Sequence, residues 1–382
     1  MTEIAATHTL DLRTGTSVWQ ARRLPPIAQS RVTRDLDTEV LIVGAGISGA
    51  LIADALSEAG LKVVIVDRRG PLQGSTPAST ALLQYELDTP LSRLSKKIGR
   101  ERAERLWRRS RLSVHALRER ARHLGIEAGQ VNRDSLYLSG DVLDREGLLK
   151  EQAARRRAGF ETSFLAERVV QDRFGIRGRA ALLDYDNFNA DPRRLAAGFL
   201  NAALARGAQM RAPVEITDVT PGARRVRAAT KNGPVITCNH LIFASGYEMP
   251  KGVPKMGNTI RSTWAIATKP QPRAIWEGAV MIWEASEPYL YLRTTPDNRV
   301  ICGGEDEDFE GDAGRDAGLP AKAATLSKKL KALLPTSIRR RNSPGAGHSV
   351  HRRREHRPLV ACPAWSIATP RWGMAATASP FR

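Results

Sequence analysis

The sequence predicts an α/β fold organised around a doubly wound parallel sheet. Three observations carry the prediction. Val40-Leu41-Ile42-Val43 is an all-apolar, β-branched run bounded by glycine, the pattern of a strand covered on both faces. Ala50 to Ala59 places Leu51, Ala55 and Leu56 on one side and stops at Gly60, which reads as a helix. Lys62-Val63-Val64-Ile65-Val66-Asp67 is a second strand, so strand, helix and strand form one crossover unit of about thirty residues.

Composition agrees with a folded enzyme-sized chain. It has 382 residues, 42% apolar and 26% charged, enough to bury a core without staples. That excludes a disordered chain, a collagen-like chain and a disulfide scaffold. Cys238, Cys302 and Cys362 are odd in number and lack metal-ligand spacing, as in a reducing compartment. No metal site is expected. Residues 1–20 carry Glu3, Asp11 and Arg13 rather than the apolar stretch of a signal peptide, and no apolar run is long enough to span a bilayer. A cytoplasmic protein is expected.

The net charge of +19 raises a nucleic-acid or acidic-membrane partner. Its distribution argues otherwise. Residues 336–382 hold nine Arg, no Lys and one acid, Glu355, so a large share of the excess lies in the tail. That tail lacks interleaved aromatics and any recognisable binding module, and no nucleic-acid partner is expected.

The rest of the chain reads in order. Residues 1–38 are a leader with no clear period. Residues 102–124 form a long amphipathic helix with Ala103, Leu106, Trp107, Leu117, Ala121 and Leu124 as its apolar stripe and arginines on a solvated face. Asp191-Pro192 caps and opens another helix, closed by Gly207. Leu241-Ile242-Phe243-Ala244 is a strand ending at Ser245-Gly246, and 288–304 reads as a hairpin turning through Pro296-Asp297-Asn298. His115, His123 and His240 have no ligand spacing and read as solvated or core residues.

The chemistry lies in Gly44-Ala45-Gly46-Ile47-Ser48-Gly49, which leaves the first strand and opens the helix. Gly44 permits a tight turn, Gly46 lets backbone approach a pyrophosphate, and Gly49 lets helix and strand pack closely. The helix N-terminus offers N–H groups and partial positive charge to phosphates. Asp67, 23 residues after Gly44, can accept from an adenosine ribose. NAD and FAD share this fingerprint, and an NAD-linked dehydrogenase is the alternative enzyme.

The small, hydroxyl-rich stretch Gly74-Ser75-Thr76-Pro77-Ala78-Ser79-Thr80-Ala81-Leu82-Leu83-Gln84 after Arg68-Arg69 resembles the second flavin-contacting segment of the D-amino-acid oxidase/glycine oxidase superfamily. Gly207 through Ile216 resembles that family's third adenine-side strand, with Ile216 at an adenine contact. Phe243-Ala244-Ser245-Gly246-Tyr247 resembles its strand end, with Ser245 replacing threonine. The hairpin around Tyr289–Arg293 and Cys302–Asp306 resembles its substrate side. The resemblance implies a Rossmann-type FAD-binding domain with an interleaved mixed-sheet substrate domain. It divides the chain into a leader (1–38), FAD-binding parts (39–100 and 189–250), a substrate or helical part (101–188), substrate sheet (251–300), a return to the FAD domain (301–335) and an aberrant tail (336–382).

It further implies FAD as cofactor and oxidation of a carbon–nitrogen bond in an amine or amino acid. Hydride passes to the flavin, and the resulting imine hydrolyses; the electron acceptor is oxygen or another carrier. By the same resemblance Gly44, Gly46, Ile47, Ser48, Gly49, Asp67, Arg68, Gly74, Ser75, Thr76, Ser79, Thr80, Ile216, Ala244, Ser245 and Gly246 hold the cofactor. Arg293 is the candidate clamp for a substrate carboxylate, because guanidinium pairs bidentately with carboxylates, and Tyr291 shares its strand face.

The family's closing "GGNGI" segment is absent from 336–382. Read one base earlier, the codons allowed for Arg371 to Phe381 can encode LGYGGNGITF, with two glycines forced by the Trp and Met codons. A frameshift near Pro335 to Ser337 is therefore expected, and with it a chain that could be an inactive or FAD-deficient remnant.

Overall fold

The computed structural model describes residues 4–5, 7, 11–12, 14–21, 23–24, 26–248, 250, 259–271, 276–308, 312–335 and 359–366, with backbone alone at 4–5, 14, 259–260, 312 and 359–366. The first sheet has seven strands in the order β1 (Ile4–Ala5), β10 (Ile216–Pro221), β11 (Val226–Thr230), β12 (Val235–Phe243), β3 (Leu36–Val43), β4 (Val63–Val66), β9 (Gln209–Arg211). Strands β12, β3, β4 and β9 are parallel, and β11, β10 and β1 continue the sheet antiparallel. Successive residues of a strand face opposite ways. Ile42 and Ile65 thus pack on α1 (Ile47–Glu58) and α6 (Pro192–Ala205) with Ala50, Ala53 and Phe199. Leu41, Val64 and Val66 pack instead on Val219 of β10, Ala228 of β11 and Ile236 of β12.

The second sheet is mixed and ten-stranded. Its order is β2 (Thr14–Gly15), β17 (Leu359–Ser366), β13 (Thr259–Ala267), β16 (Val300–Asp308), β15 (Tyr291–Thr294), β14 (Met281–Glu284), β6 (Val131–Leu138), β8 (Ala181–Asn189), β5 (Leu82–Leu83), with β7 (Thr162–Leu165) also on β8. Only the β14–β6 pair is parallel among them. On one face Leu136, Ile282 and Leu292 pack against α5 (Glu167–Phe174) and α7 (Asp312–Leu333) through Val170, Leu326 and Leu330. Near the β5 end, α2 (Leu91–Ile98), α3 (Arg100–His123) and α4 (Arg145–Arg157) enclose Tyr85, Trp107 and Phe160.

Three stretches differ from the sequence reading. Residues 301–335 stay with the second sheet, because Val300 and Cys302 pack on Leu326 and Leu330 of α7. Gly207 to Ile216 is not one strand: β9 ends at Arg211, Pro213 has no N–H to extend a ladder, and Ile216 opens the antiparallel β10. The leader is a packed element: Trp19 is buried, its Nε1 donates to the Ser79 carbonyl at 2.8 Å, and Arg193 donates to the Trp19 carbonyl at 3.0 Å. The arginine clusters at 339–341 and 352–354 and the shifted segment 371–381 lie outside the described residues. The backbone of 359–366 pairs with β13 and β2.

Candidate cofactor and substrate site

The glycine turn sits where β3 delivers the chain to α1. Gly44 adopts φ +115°, and a Cβ there would lie 2.4 Å from the Ala244 carbonyl oxygen. A Cβ on Gly49 would lie 1.9 Å from the Gly44 carbonyl oxygen. These glycines therefore permit a backbone contact between the turn, α1 and the end of β12 that no side chain allows. Helix α1 begins at an N-cap glycine, Gly46, with no side-chain cap and no acid in its first turn. The helix itself thus brings no carboxylate to its N-terminus.

A narrow cleft of about 100 Å³ opens at this point. Gly44, Gly46, Ile47 and Ser48 form its floor; Gly74, Ser75 and Thr76 form one wall; Ile216, Ala244, Ser245 and Gly246 form another; and Asp67 and Arg68 stand at one end. Thr76 Oγ1 accepts from the Ile47 N–H at 3.0 Å, which ties the hydroxyl-rich loop to the helix start. The Asp67 carboxylate accepts from Ala45 N–H at 2.9 Å and from Arg69 and Gly70 N–H at 2.8 and 3.1 Å. It thereby joins the glycine turn to the end of β4. Gly49, Ser79 and Thr80 do not line the cleft. Gly49 supports it from behind, Ser79 meets Trp19, and the Thr80 carbonyl accepts from Arg293 at 3.2 Å.

The sequence reading misses Glu248, which also lines the cleft. It is almost fully buried and pairs with both Arg68 and Arg69, the latter at 2.6 Å. The Ser245 hydroxyl donates to the Glu248 carbonyl at 2.7 Å, so the turn after β12 holds the carboxylate in place. Nothing in local spacing signals a partner 180 residues from Arg68.

Arg293 and Tyr291 share a strand face, yet neither lines the cleft or the second cavity described next. Arg293 is fully buried and donates to the carbonyls of Ala81, Ala190, Thr80 and Thr294 at 2.7 to 3.2 Å, with its guanidinium 5.1 Å from the Trp19 ring. Burial without a paired carboxylate pulls its pKa down to about 9. Its Nε and Nη1 are engaged with backbone in the interior, while the buried Nη2 has no hydrogen-bond partner among the described residues. Since Arg293 lines neither opening, the expected carboxylate clamp is corrected to a buried tie between β15, the Thr80–Ala81 segment and the start of α6. The Tyr291 hydroxyl lies 3.1 Å from Thr263 Oγ1, and its ring lies where any Gly303 side chain would be.

The second cavity, of about 860 Å³, is formed by the second sheet, α7 and the start of α2. Tyr137 and Trp283 stack on its wall with ring centroids 4.0 Å apart. Trp264 and Tyr289 add two more aromatic surfaces. Arg315, on its lining, donates to the carbonyl of Asp11, next to Leu12 in the first cleft. The leader thus passes between the two openings.

A buried charge cluster lies beneath the same sheet. Arg155, fully buried, pairs with Glu151 at 2.9 Å and Asp184 at 2.6 Å. Glu86 accepts from Ser135 Oγ and from Asn187 Nδ2 at 3.3 Å. Burial first, then the Asp184 charge, pushes the Glu86 carboxyl up to about 7.

The architecture and the first cleft have counterparts among known proteins. A family model described as FAD dependent oxidoreductase matches residues 39–374. The chain is 19% identical over 217 residues to a putative Rieske 2Fe-2S iron-sulfur protein, YhfW, of Bacillus subtilis; this is 56% of the chain but only 42% of that protein's length. The fold resembles glycine oxidase from Geobacillus kaustophilus, with a TM-score of 0.67 at 17% identity over 88% of this chain and 85% of that one. It also resembles L-α-glycerophosphate oxidase from Mycoplasma pneumoniae with FAD bound, with a TM-score of 0.65 at 16% identity over 87% and 84%.

Proposed function

Since this chain belongs to the FAD-dependent oxidoreductase family, we propose that it oxidises a carbon–nitrogen bond of a small amine or amino acid. The observation that carries the cofactor assignment is the cleft itself: the start of α1, the Gly44 turn backed by Gly49, where neither glycine tolerates a Cβ, and a carboxylate at the end of β4 meet there. Gly46, Ile47 and Ser48 would hold the pyrophosphate, Asp67 the adenosine ribose, and Ser75 and Thr76 the segment leading to the flavin. FAD, when bound, takes hydride from the carbon bearing the nitrogen. The imine so formed is hydrolysed by water, and the electrons pass on to oxygen or another carrier.

The protein's own part is to hold and shield. Trp19 closes the Ser79 segment from outside, and Arg293 fixes the Thr80–Ala81 backbone behind it. Solved structures of glycine oxidase and of iminodiacetate oxidase share the fold, which supports the substrate class. Among the described residues no helix is long and apolar enough to cross a membrane. The free thiols of Cys238 and Cys302 support a reducing, cytoplasmic setting. The altered reading frame after Pro335 is part of the same proposal, and resequencing that locus tests it.

The first test is the visible absorption spectrum of the purified chain, followed by anaerobic addition of amines and amino acids. Bound flavin that bleaches with one of them is the expected result. Bound flavin that no amine or amino acid reduces would overturn the assigned reaction.

A further inference from the structure

The ribose end of the first cleft carries two opposing signals. Asp67, at the end of β4, is the acid that accepts from the hydroxyls of an unphosphorylated ribose. Arg68 and Arg69 follow it directly, and both line the same cleft. Arginine at that place suits a ribose bearing a 2′-phosphate, because a guanidinium fork pairs bidentately with phosphate. Local sequence therefore fits either ribose.

Glu248 decides between them. Its carboxylate takes Arg69 as a fork, Nη2 donating to Oε1 at 2.6 Å and Nη1 to Oε2 at 3.0 Å. Arg68 Nη2 donates to the same Oε1. One nearly buried carboxylate thus holds both arginines at the cleft wall. It is itself held by the turn after β12: the Ser245 hydroxyl donates to the Glu248 carbonyl at 2.7 Å, and the Glu248 N–H donates to the Ser245 carbonyl at 3.2 Å. Among the described residues, the ionisable side chains on this lining are Asp67, Glu215 and Glu248 against Arg68 and Arg69. Glu215 is matched by Lys231 at 3.1 Å, outside the lining. The cleft therefore offers an incoming anion no surplus of positive charge, although the chain as a whole carries +19.

We propose that Glu248 sets the ribose specificity of the cleft: by taking Arg68 and Arg69 it removes the two cations that a 2′-phosphate needs, and it leaves Asp67 to an unphosphorylated ribose. The inference rests on the FAD-binding reading above and adds a specificity residue to it. A 2′-phosphate at this end meets the Asp67 and Glu248 carboxylates and finds both guanidiniums engaged. Like charges brought together at a binding site reject a wrong partner more strongly than a missing contact does. The ribose of FAD brings hydroxyls only, so neither arginine has to leave Glu248. Because Glu248 works through the arginines, it is a positioning residue.

The test is displacement of FAD from the full chain by ADP-ribose and by 2′-phospho-ADP-ribose, read as the rise in flavin fluorescence. The two ligands differ only in the 2′-phosphate. The parent chain is expected to prefer ADP-ribose by about tenfold or more. Glu248→Gln keeps the size of the side chain and removes its charge; it should shift the ratio about tenfold toward the 2′-phosphate ligand. Arg69→Gln alters a partly exposed side chain and leaves Glu248 facing Arg68 alone. It should move the ratio the other way, by about threefold, and it keeps the proposal testable should Glu248→Gln not fold. A merely structural role for Glu248 would weaken both ligands alike; a ratio unchanged in both variants, or a parent chain that prefers the 2′-phosphate, overturns the proposal. If neither FAD nor ADP-ribose binds the parent chain, the cofactor reading falls and this proposal with it. If both bind while the ratio stays fixed, only the role of Glu248 falls.

Discussion

At the residue scale, two kinds of position are under tension. Gly44 combines φ +115° with a carbonyl oxygen 2.4 Å from its would-be Cβ, whereas Gly60, at φ +82°, has nothing within 4 Å. Gly60→Ala should cost only the left-handed strain, about 1–2 kcal/mol. Gly44→Ala should cost about 2–3 kcal/mol more and abolish FAD binding, because the end of β12 must move. Urea unfolding and flavin fluorescence titration of the two variants read the difference; equal costs would mean that the contact with Ala244 is unimportant. Glu86 makes a pH prediction. Its folded pKa of about 7 lies above the ordinary carboxyl value near 4.5. The folded state therefore holds the proton more tightly. That contribution to stability is complete below about pH 4.5 and is lost as pH rises through about 7. Glu86→Gln keeps a neutral group against Ser135 and Asn187. It should match the parent near pH 5 and exceed it at pH 8, by on the order of 2–3 kcal/mol in urea unfolding. Parallel pH profiles for the two proteins would disprove the buried proton.

At the scale of elements, α6 packs on α1 behind the cofactor cleft and is anchored at its own N-terminus. Asp191 caps this helix, accepting from Arg193 and Arg194 N–H at 2.9 and 3.1 Å, and α6 in turn packs on α1. Its neighbour Ala190 supplies a carbonyl to Arg293 at 2.8 Å. Asp191→Ala should lower unfolding stability by about 1 kcal/mol. Because the cap is remote from the cleft, flavin affinity should change less than twofold; a larger loss would show that α6 positions α1 for the cofactor. The leader belongs at this scale too. Without a hydrophobic period it reads as a passive extension, yet Trp19 is 6% exposed and bridges the Ser79 segment to Arg193. A single large aromatic can anchor an irregular segment that periodicity does not register.

At the scale of the molecule, the two sheets share the work. The first builds a cleft for a dinucleotide, and the second supplies a larger cavity with aromatic and acidic side chains on its lining. If the chain holds FAD, the free ligand at a hundred times its Kd should stabilise it by about 2.7 kcal/mol and raise the melting temperature by roughly 3 °C for a chain of this length. An unchanged melting curve would mean that the 382-residue chain does not hold the cofactor, the outcome expected of the frameshift proposed near Pro335.

Much of the first cleft was legible in the sequence. The strand, glycine turn, helix and acid are local, and backbone sterics and periodicity write them into some thirty adjacent residues. The class of fold follows from that stretch, whereas FAD rather than NAD follows from the resemblance carried by Gly74 to Gln84. What tertiary structure alone decided is long-range. Glu248 meets Arg68 from 180 positions away because β12 and β4 both flank β3 in one sheet. Arg293, which alternation puts beside Tyr291, turns inward because the start of α6 and the Thr80–Ala81 segment converge there with free carbonyls. The acids of the second cavity come from α2's approach, β14, β16 and the loops between them, and no window of sequence holds them together. Short-range order follows from steric rules that each residue carries. The sign and shape of a cavity follow from which distant segments the sheet order brings face to face.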